Sequence, residues 1–207
     1  MINVLFGFMP LYVETFTDLL AAEAAIDRIV PITRVAGHWL NPEVLISLDA
    51  LLIVLLQAPI SYLTRKWPTL RAMLVGTTIA TVSWVFPAMS PAAAIVALGI
   101  FVWSIGEMTC SARFFEYCGT VAPKDQVALY LGYSFFAIFI GNFYSGPWAG
   151  WLYENFIRLP HEAGSTVQPW PFFLGVMLMG VFSVIGLAIY GRFINPDQAR
   201  RNEGGAA

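Results

Sequence analysis

QVALYLGYSFFAIFIGNFYSGPWAGWLY, residues 126–153, carries no charged side chain from one end to the other. Its second half places Gly141, Gly146, Pro147 and Gly150 among tryptophans and tyrosines. In water, glycine and proline at that density read as a loop. The stretch exceeds the roughly 20 apolar residues that a helix needs to cross a bilayer. In lipid a helical glycine removes side-chain bulk and lets a neighbouring helix approach. The solvent therefore decides the fold, and the rest of the chain identifies the solvent.

Of 207 residues, 58% are hydrophobic and 12% charged, against about 25% charged in ordinary soluble domains. The deficit is concentrated. Between Arg71 and Arg113 the only charge is Glu107, and between Asp125 and Glu154 there is none. Helices of soluble proteins need a polar face towards water, which runs of this kind do not provide. The reading is an all-α membrane protein with membrane lipid as its surroundings. A net charge of −2 gives no reason to expect nucleic acid as a partner. The opening MINVLFGFMPLYVETF has neither a basic leader nor a small-residue cleavage site, so no signal peptide is expected. Cys110 and Cys118 are not in a CxxC spacing and read as two buried free thiols.

Six apolar segments emerge, at about 2–16, 42–63, 72–89, 91–114, 127–153 and 171–193. The first is short for a full span. Ser90-Pro91 joins the third to the fourth, with the proline expected to start the helix. Lys and Arg divide unevenly between the two sides. Arg65, Lys66, Arg71, Arg113, Lys124, Arg192, Arg200 and Arg201 fall on one side, and Arg28, Arg34 and Arg158 on the other. Positive-inside reasoning puts the richer side in the cytoplasm, with both termini. Residues 1–193 thus read as one six-helix bundle in the inner or plasma membrane.

In the external connection 17–40, Leu19, Leu20, Ile26, Ile29 and Val30 alternate with Asp18, Glu23, Asp27 and Arg28 at near-helical spacing. This suggests an amphipathic helix at the membrane surface, with a solvated loop as the alternative. Residues 194–207, ending NPDQARRNEGGAA, read as a disordered cytoplasmic tail. Within 127–153, Gly146 and Gly150 share a face, Gly141 thins the helix further along, and Pro147 deprives the Phe143 carbonyl of its donor. A close-packed, bent helix is expected, with Trp148, Trp151 and Tyr153 at the outer interface.

Two acids lie inside predicted spans, Asp49 and Glu107. A charge at the bilayer centre costs about 2.5–3.5 kcal/mol on insertion scales, so such residues face a cavity or a partner, or hold a proton. Trp103, Ser104, Cys110, Ser111 and Phe114 share the Glu107 face, a mixed stripe suited to lining a solvent-filled path. Leu45, Ile46, Leu52, Ile53 and Leu56 surround Asp49, leaving open a proton-binding role or a helix-packing hydrogen bond. Asn142, with Ser145 nearby, is a candidate for solute contact or interhelix bonding. Arg113, Glu116, Lys124 and Asp125 read as a solvated hairpin of mixed charge, or more sharply as a gating ion-pair set. His38 and His161 fall in external connections, and neither HxxxH nor CxxC occurs, so no metal site is expected. Without a GxxxxGK loop or a histidine in a span, neither a cofactor nor an enzymatic activity is expected.

The run NPEVLISLDALLIVLLQAPISYLTRKWPTLRAMLVG resembles the eighth and ninth helices of a major facilitator superfamily transporter. Pro59, the basic turn of Arg65, Lys66 and Arg71, and Gly76 carry that likeness. GEMTCSARFFEYCGTVAPKDQVALYLGYSFFAIFIGNFYSGPWAGWLY resembles the tenth and eleventh helices. Gly106-Glu107, Ala122-Pro123, Gly132, Gly141-Asn142, Gly146 and the Asn41-Pro42 opening are similar to the proton-coupled oligopeptide branch in particular. Drug and sugar transporters of the superfamily share much of this skeleton. The resemblance runs from about residue 5 to 192 and implies a solute or proton site at Glu107, with Asn41 contributing. It departs at Asp49, where relatives often carry asparagine, and in the length of the 17–40 connection. It also supplies six helices where the family has twelve.

Two six-helix halves enclose the solute in that fold, and rocking one against the other gives alternating access. The expectation is therefore a carboxyl-terminal half, missing its amino-terminal partner half, of a proton-linked secondary transporter for a small organic solute. The short first segment suits a chain whose beginning lies upstream. The alternative is a non-transporting six-helix scaffold or accessory subunit.

Overall fold

The structure, a computed structural model, describes residues 2–29 and 40–193, all in helices and their connections. Five helical stretches are long and apolar enough to cross a membrane: Pro42–Thr64, Thr69–Met89, Ala93–Val121, Val127–Glu162 and Trp170–Phe193. Such a set is what a multi-pass membrane protein requires. The tail 194–207, together with His38, Arg34 and the rest of 30–39, lies outside the described residues.

The segment 2–16 forms two short helices, α1 (Ile2–Gly7) and α2 (Met9–Phe16), separated at Phe8. At 1.5 Å per residue the pair extends about 22 Å, short of the ~30 Å hydrocarbon layer. Far from being peripheral, they supply core: Val4, Leu5, Met9, Tyr12 and Val13 are all buried. Between the first segment and the helix Pro42–Thr64, residues Leu19–Ile29 form a helix, α3, and the Asp18 carboxylate accepts from the Ala21 N–H at 2.9 Å. Glu23 is buried, while Leu20 and Ile26 face outward.

The long helix α4 (Pro42–Thr64) is capped by Asn41, whose side-chain oxygen accepts from the Val44 N–H at 2.9 Å, with Pro42 in the first turn. The third segment is interrupted, giving α5 (Thr69–Val82) and α6 (Val85–Met89). Pro87 explains the break: it has no N–H to give the Ser83 carbonyl, which instead accepts from Phe86 at 3.3 Å. Ser90 is extended, and α7 (Ala93–Val121) begins two residues after Pro91. The proline therefore precedes the helix cap and does not occupy the first turn.

α7 runs well beyond the expected end at 114. This corrects the placement of Arg113 and Glu116, which are not in a turn. Arg113 is buried within the helix and pairs with Glu116 at 2.5 Å, one turn on. α8 (Val127–Tyr153) continues through a π-helical turn, Glu154–Arg158, into α9 (Leu159–Glu162), where Arg158 bridges Glu154 and Glu162. Gly164, at φ 66°, ends that helix in the left-handed conformation that glycine adopts freely. α10 (Trp170–Phe193) completes the bundle.

The core sits at one end of the bundle. There Tyr12 donates to the Pro87 carbonyl at 3.2 Å and meets Phe173 edge-on at 5.0 Å. Trp84 lies against both Trp103 and Phe173. Towards the other end packing thins to α5 against α7, with Tyr117 and Tyr190 joining α7 to α10. Past Asp49, α4 buries nothing until Thr64, and past Gly180, α10 buries nothing.

Among the described residues, the expected close packing of the α8 glycines is absent. A Cβ built at Gly132, Gly141 or Gly146 meets nothing within 4 Å, and one at Gly150 meets only Phe8, at 3.7 Å. Helix α8 passes through Pro147 without interruption. Its row of Phe135, Phe136, Phe139, Phe143 and Tyr144 is exposed. Close approach occurs instead at Gly175 and Gly180, which receive the Leu152 and Thr81 side chains, and at Gly76 and Gly106, where two helix backbones meet. A Cβ on Gly76 would lie 2.7 Å from the Gly106 carbonyl oxygen, and one on Gly106 would lie 2.7 Å from the Gly76 carbonyl oxygen. For the chain alone, Gly141→Ala and Gly146→Ala are expected to change stability by no more than about 1 kcal/mol. Thermal unfolding in detergent checks this, and a larger loss would mean that α8 packs where the structure leaves it bare.

Candidate functional site

The α5–α7 crossing builds the candidate site. Without side chains at Gly76 and Gly106 the two backbones touch, and the residues beside the crossing form a groove of about 250 Å³. Thr77 and Ala80 of α5 form one wall; Trp103, Gly106, Glu107, Cys110, Ser111 and Phe114 of α7 form the other. Among the described residues, Glu107 is the one charged residue of the lining. Trp103, one turn earlier, donates its indole N–H to Glu107 Oε2 at 3.0 Å. The indole is itself held by the core through Trp84, so a rigid element aims the carboxylate. Thr77 donates to the Met73 carbonyl at 2.8 Å, and its hydroxyl lies 3.4 Å from the Cys110 sulfur.

Asp49 is placed differently. It is 2% exposed, and its Oδ1 receives the Ser104 hydroxyl at 2.5 Å, tying α4 to α7. Ser104 also lies 2.9 Å from the Ile100 carbonyl. A hydroxyl has one hydrogen, which Ser104 gives to Asp49 Oδ1 while the Ile100 carbonyl stands within reach as a second acceptor. Asp49 is thus sealed in a helix-packing hydrogen bond, one residue behind the groove wall, and does not line the groove.

The remaining candidates lie elsewhere. Asn41 is an exposed helix cap at the start of α4, its amide oxygen already engaged. Asn142 is exposed on α8, outside the groove lining. Arg65 is exposed at the end of α4, its guanidinium 4.1 Å from the Tyr62 ring centre. Lys66 and Arg71 are exposed in and beside the same turn. Lys124 and Asp125 are exposed between α7 and α8 and do not join the Arg113–Glu116 pair. Both cysteines are free thiols, as read from the sequence, but half-buried where full burial was expected, and Cys110 lines the groove.

No protein family, characterised protein or solved structure matches this chain. The site must therefore be read from its own chemistry.

Sequence reasoning put Ser104 on the Glu107 face, whereas its hydroxyl turns to Asp49. It also missed Thr77 and Ala80, because α5 carries no charged residue beyond Arg71 to attract notice. The available signal was the small-residue spacing Gly76-x-x-x-Ala80 opposite Gly106, a close-approach pattern in membrane helices.

Proposed function

We propose that this chain is one half of a proton-linked secondary transporter of the major facilitator type, carrying a small organic solute. Glu107 carries the reading: a carboxylate well inside a helix long enough to span, on the wall of a groove whose other lining residues are neutral. Hydrocarbon penalises such a group, and a solute or proton site is the use that best accounts for it. Asp49, hydrogen-bonded between α4 and α7, is the weaker candidate for a proton site.

The proposal includes six crossings, with α1 and α2 contributing to the first. It places the turn of Arg65, Lys66 and Arg71 in the cytoplasm with both termini, in an inner or plasma membrane. A second six-helix half would cover the groove and part of the bare α4 and α8 surfaces, and lipid would cover the rest.

The test is solute uptake by proteoliposomes holding the chain with the membrane proteins that co-purify with it. An inward proton gradient is expected to drive accumulation, and Glu107→Gln to abolish it. Uptake by the variant equal to wild type at every pH removes Glu107 from the mechanism.

The bare face of α8 favours a second reading, a scaffold or accessory subunit docked on another membrane protein. That reading expects a stable complex and no stabilisation by any solute. Thermal-shift measurements against peptides, sugars and organic cations separate the two.

A further inference from the structure

The lining of the Glu107 groove narrows the class of solute. Among its residues there is no Lys, Arg or His. The nearest basic residue along α7, Arg113, is turned into an ion pair with Glu116. Asp49 lies behind Ser104 and has the same sign as Glu107. An anion, or the carboxylate end of a zwitterion, would find no cationic side chain to pair with among the described residues of the lining. A sugar needs several unspent donors and acceptors, yet beside Glu107 and the Cys110 thiol the lining offers one uncommitted hydroxyl, Ser111; the Thr77 hydroxyl is committed to the Met73 carbonyl, and Ala80 and Phe114 present carbon.

Glu107 offers something different. Trp103 holds Oε2, and Oε1 has no hydrogen-bond partner among the described residues. A single fixed carboxylate against aromatic and aliphatic walls complements a positive charge carried on an apolar skeleton, because the walls favour the carbon while the ring systems and the acid favour the charge. A groove of about 250 Å³ lies just under the usual ~300–1,000 Å³ range for ligand pockets, which favours a small molecule.

We infer that the groove recognises a small organic ammonium ion, substituted with short alkyl groups. This rests on the reading above that the groove is the solute site. Glu107 supplies the counter-charge, Trp103 positions it, and Phe114 and Ala80 contact the skeleton.

Choline and its neutral isostere 3,3-dimethylbutan-1-ol differ at the central atom and in charge and share a shape, so they isolate the charge. Equilibrium binding to the full chain in detergent is expected to favour choline by about tenfold or more. The preference should disappear in Glu107→Gln and persist in Glu107→Asp, with circular dichroism showing that each variant keeps its helices. Tetraethylammonium should compete with choline, and dialanine and glucose should not. Equal binding of choline and the isostere by wild type overturns the inference without any variant, as does a charge preference that survives in folded Glu107→Gln. If dialanine or glucose binds in a Glu107-dependent way and choline does not, the groove remains the solute site and the cation class is wrong. If none of these probes binds, the cation class fails, and the groove reading then depends on the uptake experiment alone.

Discussion

Gly106→Val is expected to destabilise the bundle by about 3 kcal/mol or more, the upper part of the range for overpacking a tight interface. The reason is what surrounds the position. A Cβ there would lie 2.7 Å from the Gly76 carbonyl oxygen and 3.0 Å from the Ala80 Cα, all backbone of α5. A flexible side chain could swing away, but a helix backbone can yield only by moving the whole helix. Displacing α5 would also carry Thr77 and Ala80 away from Glu107 and open the groove. Gly106→Val should therefore lose both thermal stability in detergent and the choline preference, while Gly106→Ala loses less stability. Gly132→Val, at a position with nothing within 4 Å, is the matched control. A Gly106→Val protein that melts with wild type would show that the two backbones do not meet here.

Ser104→Ala is expected to cost about 1–3 kcal/mol, because it leaves a buried carboxyl without its hydrogen-bond partner. Removing both groups should cost much less. In Asp49→Leu/Ser104→Ala no polar atom of the pair remains to be satisfied, and apolar replacement of a buried polar pair is often neutral or stabilising. The double variant is expected within about 1 kcal/mol of wild type, giving a coupling of 1 kcal/mol or more in a double-mutant cycle. Asp49→Asn keeps an oxygen to accept from Ser104 and should resemble wild type in stability. Strict additivity of the two single changes, read from unfolding midpoints, would mean that Asp49 and Ser104 do not interact. The same variants bear on mechanism. If Asp49 only joins helices, the double variant retains proton-driven uptake; if it holds a transported proton, uptake falls although stability recovers.

Much of this could be read along the chain. The uncharged runs around Glu107 and between Asp125 and Glu154 announced long helices, because only a bilayer tolerates them. The stripe of Trp103, Glu107, Cys110, Ser111 and Phe114 followed from helical spacing alone. Less was legible where a neighbour decides. Gly146 and Gly150 look like a packing face, yet contact needs a second helix at the right distance, and among the described residues the backbones meet at Gly76 and Gly106 instead. Arg113 looked like a turn residue because a charge usually ends a span. Here Glu116 neutralises it one turn on, and the helix continues.

Local information determined which segments are helical and apolar, since hydrogen bonding within a helix and transfer from water depend on the residues of that segment. The pairing of Asp49 with Ser104 joins groups 55 positions apart, and the groove wall joins α5 to α7. Both depend on which backbones cross and at what distance, a property of pairs of helices that no single stretch of sequence contains. That is why the acid of the groove was visible from its own helix, while the residues facing it were not.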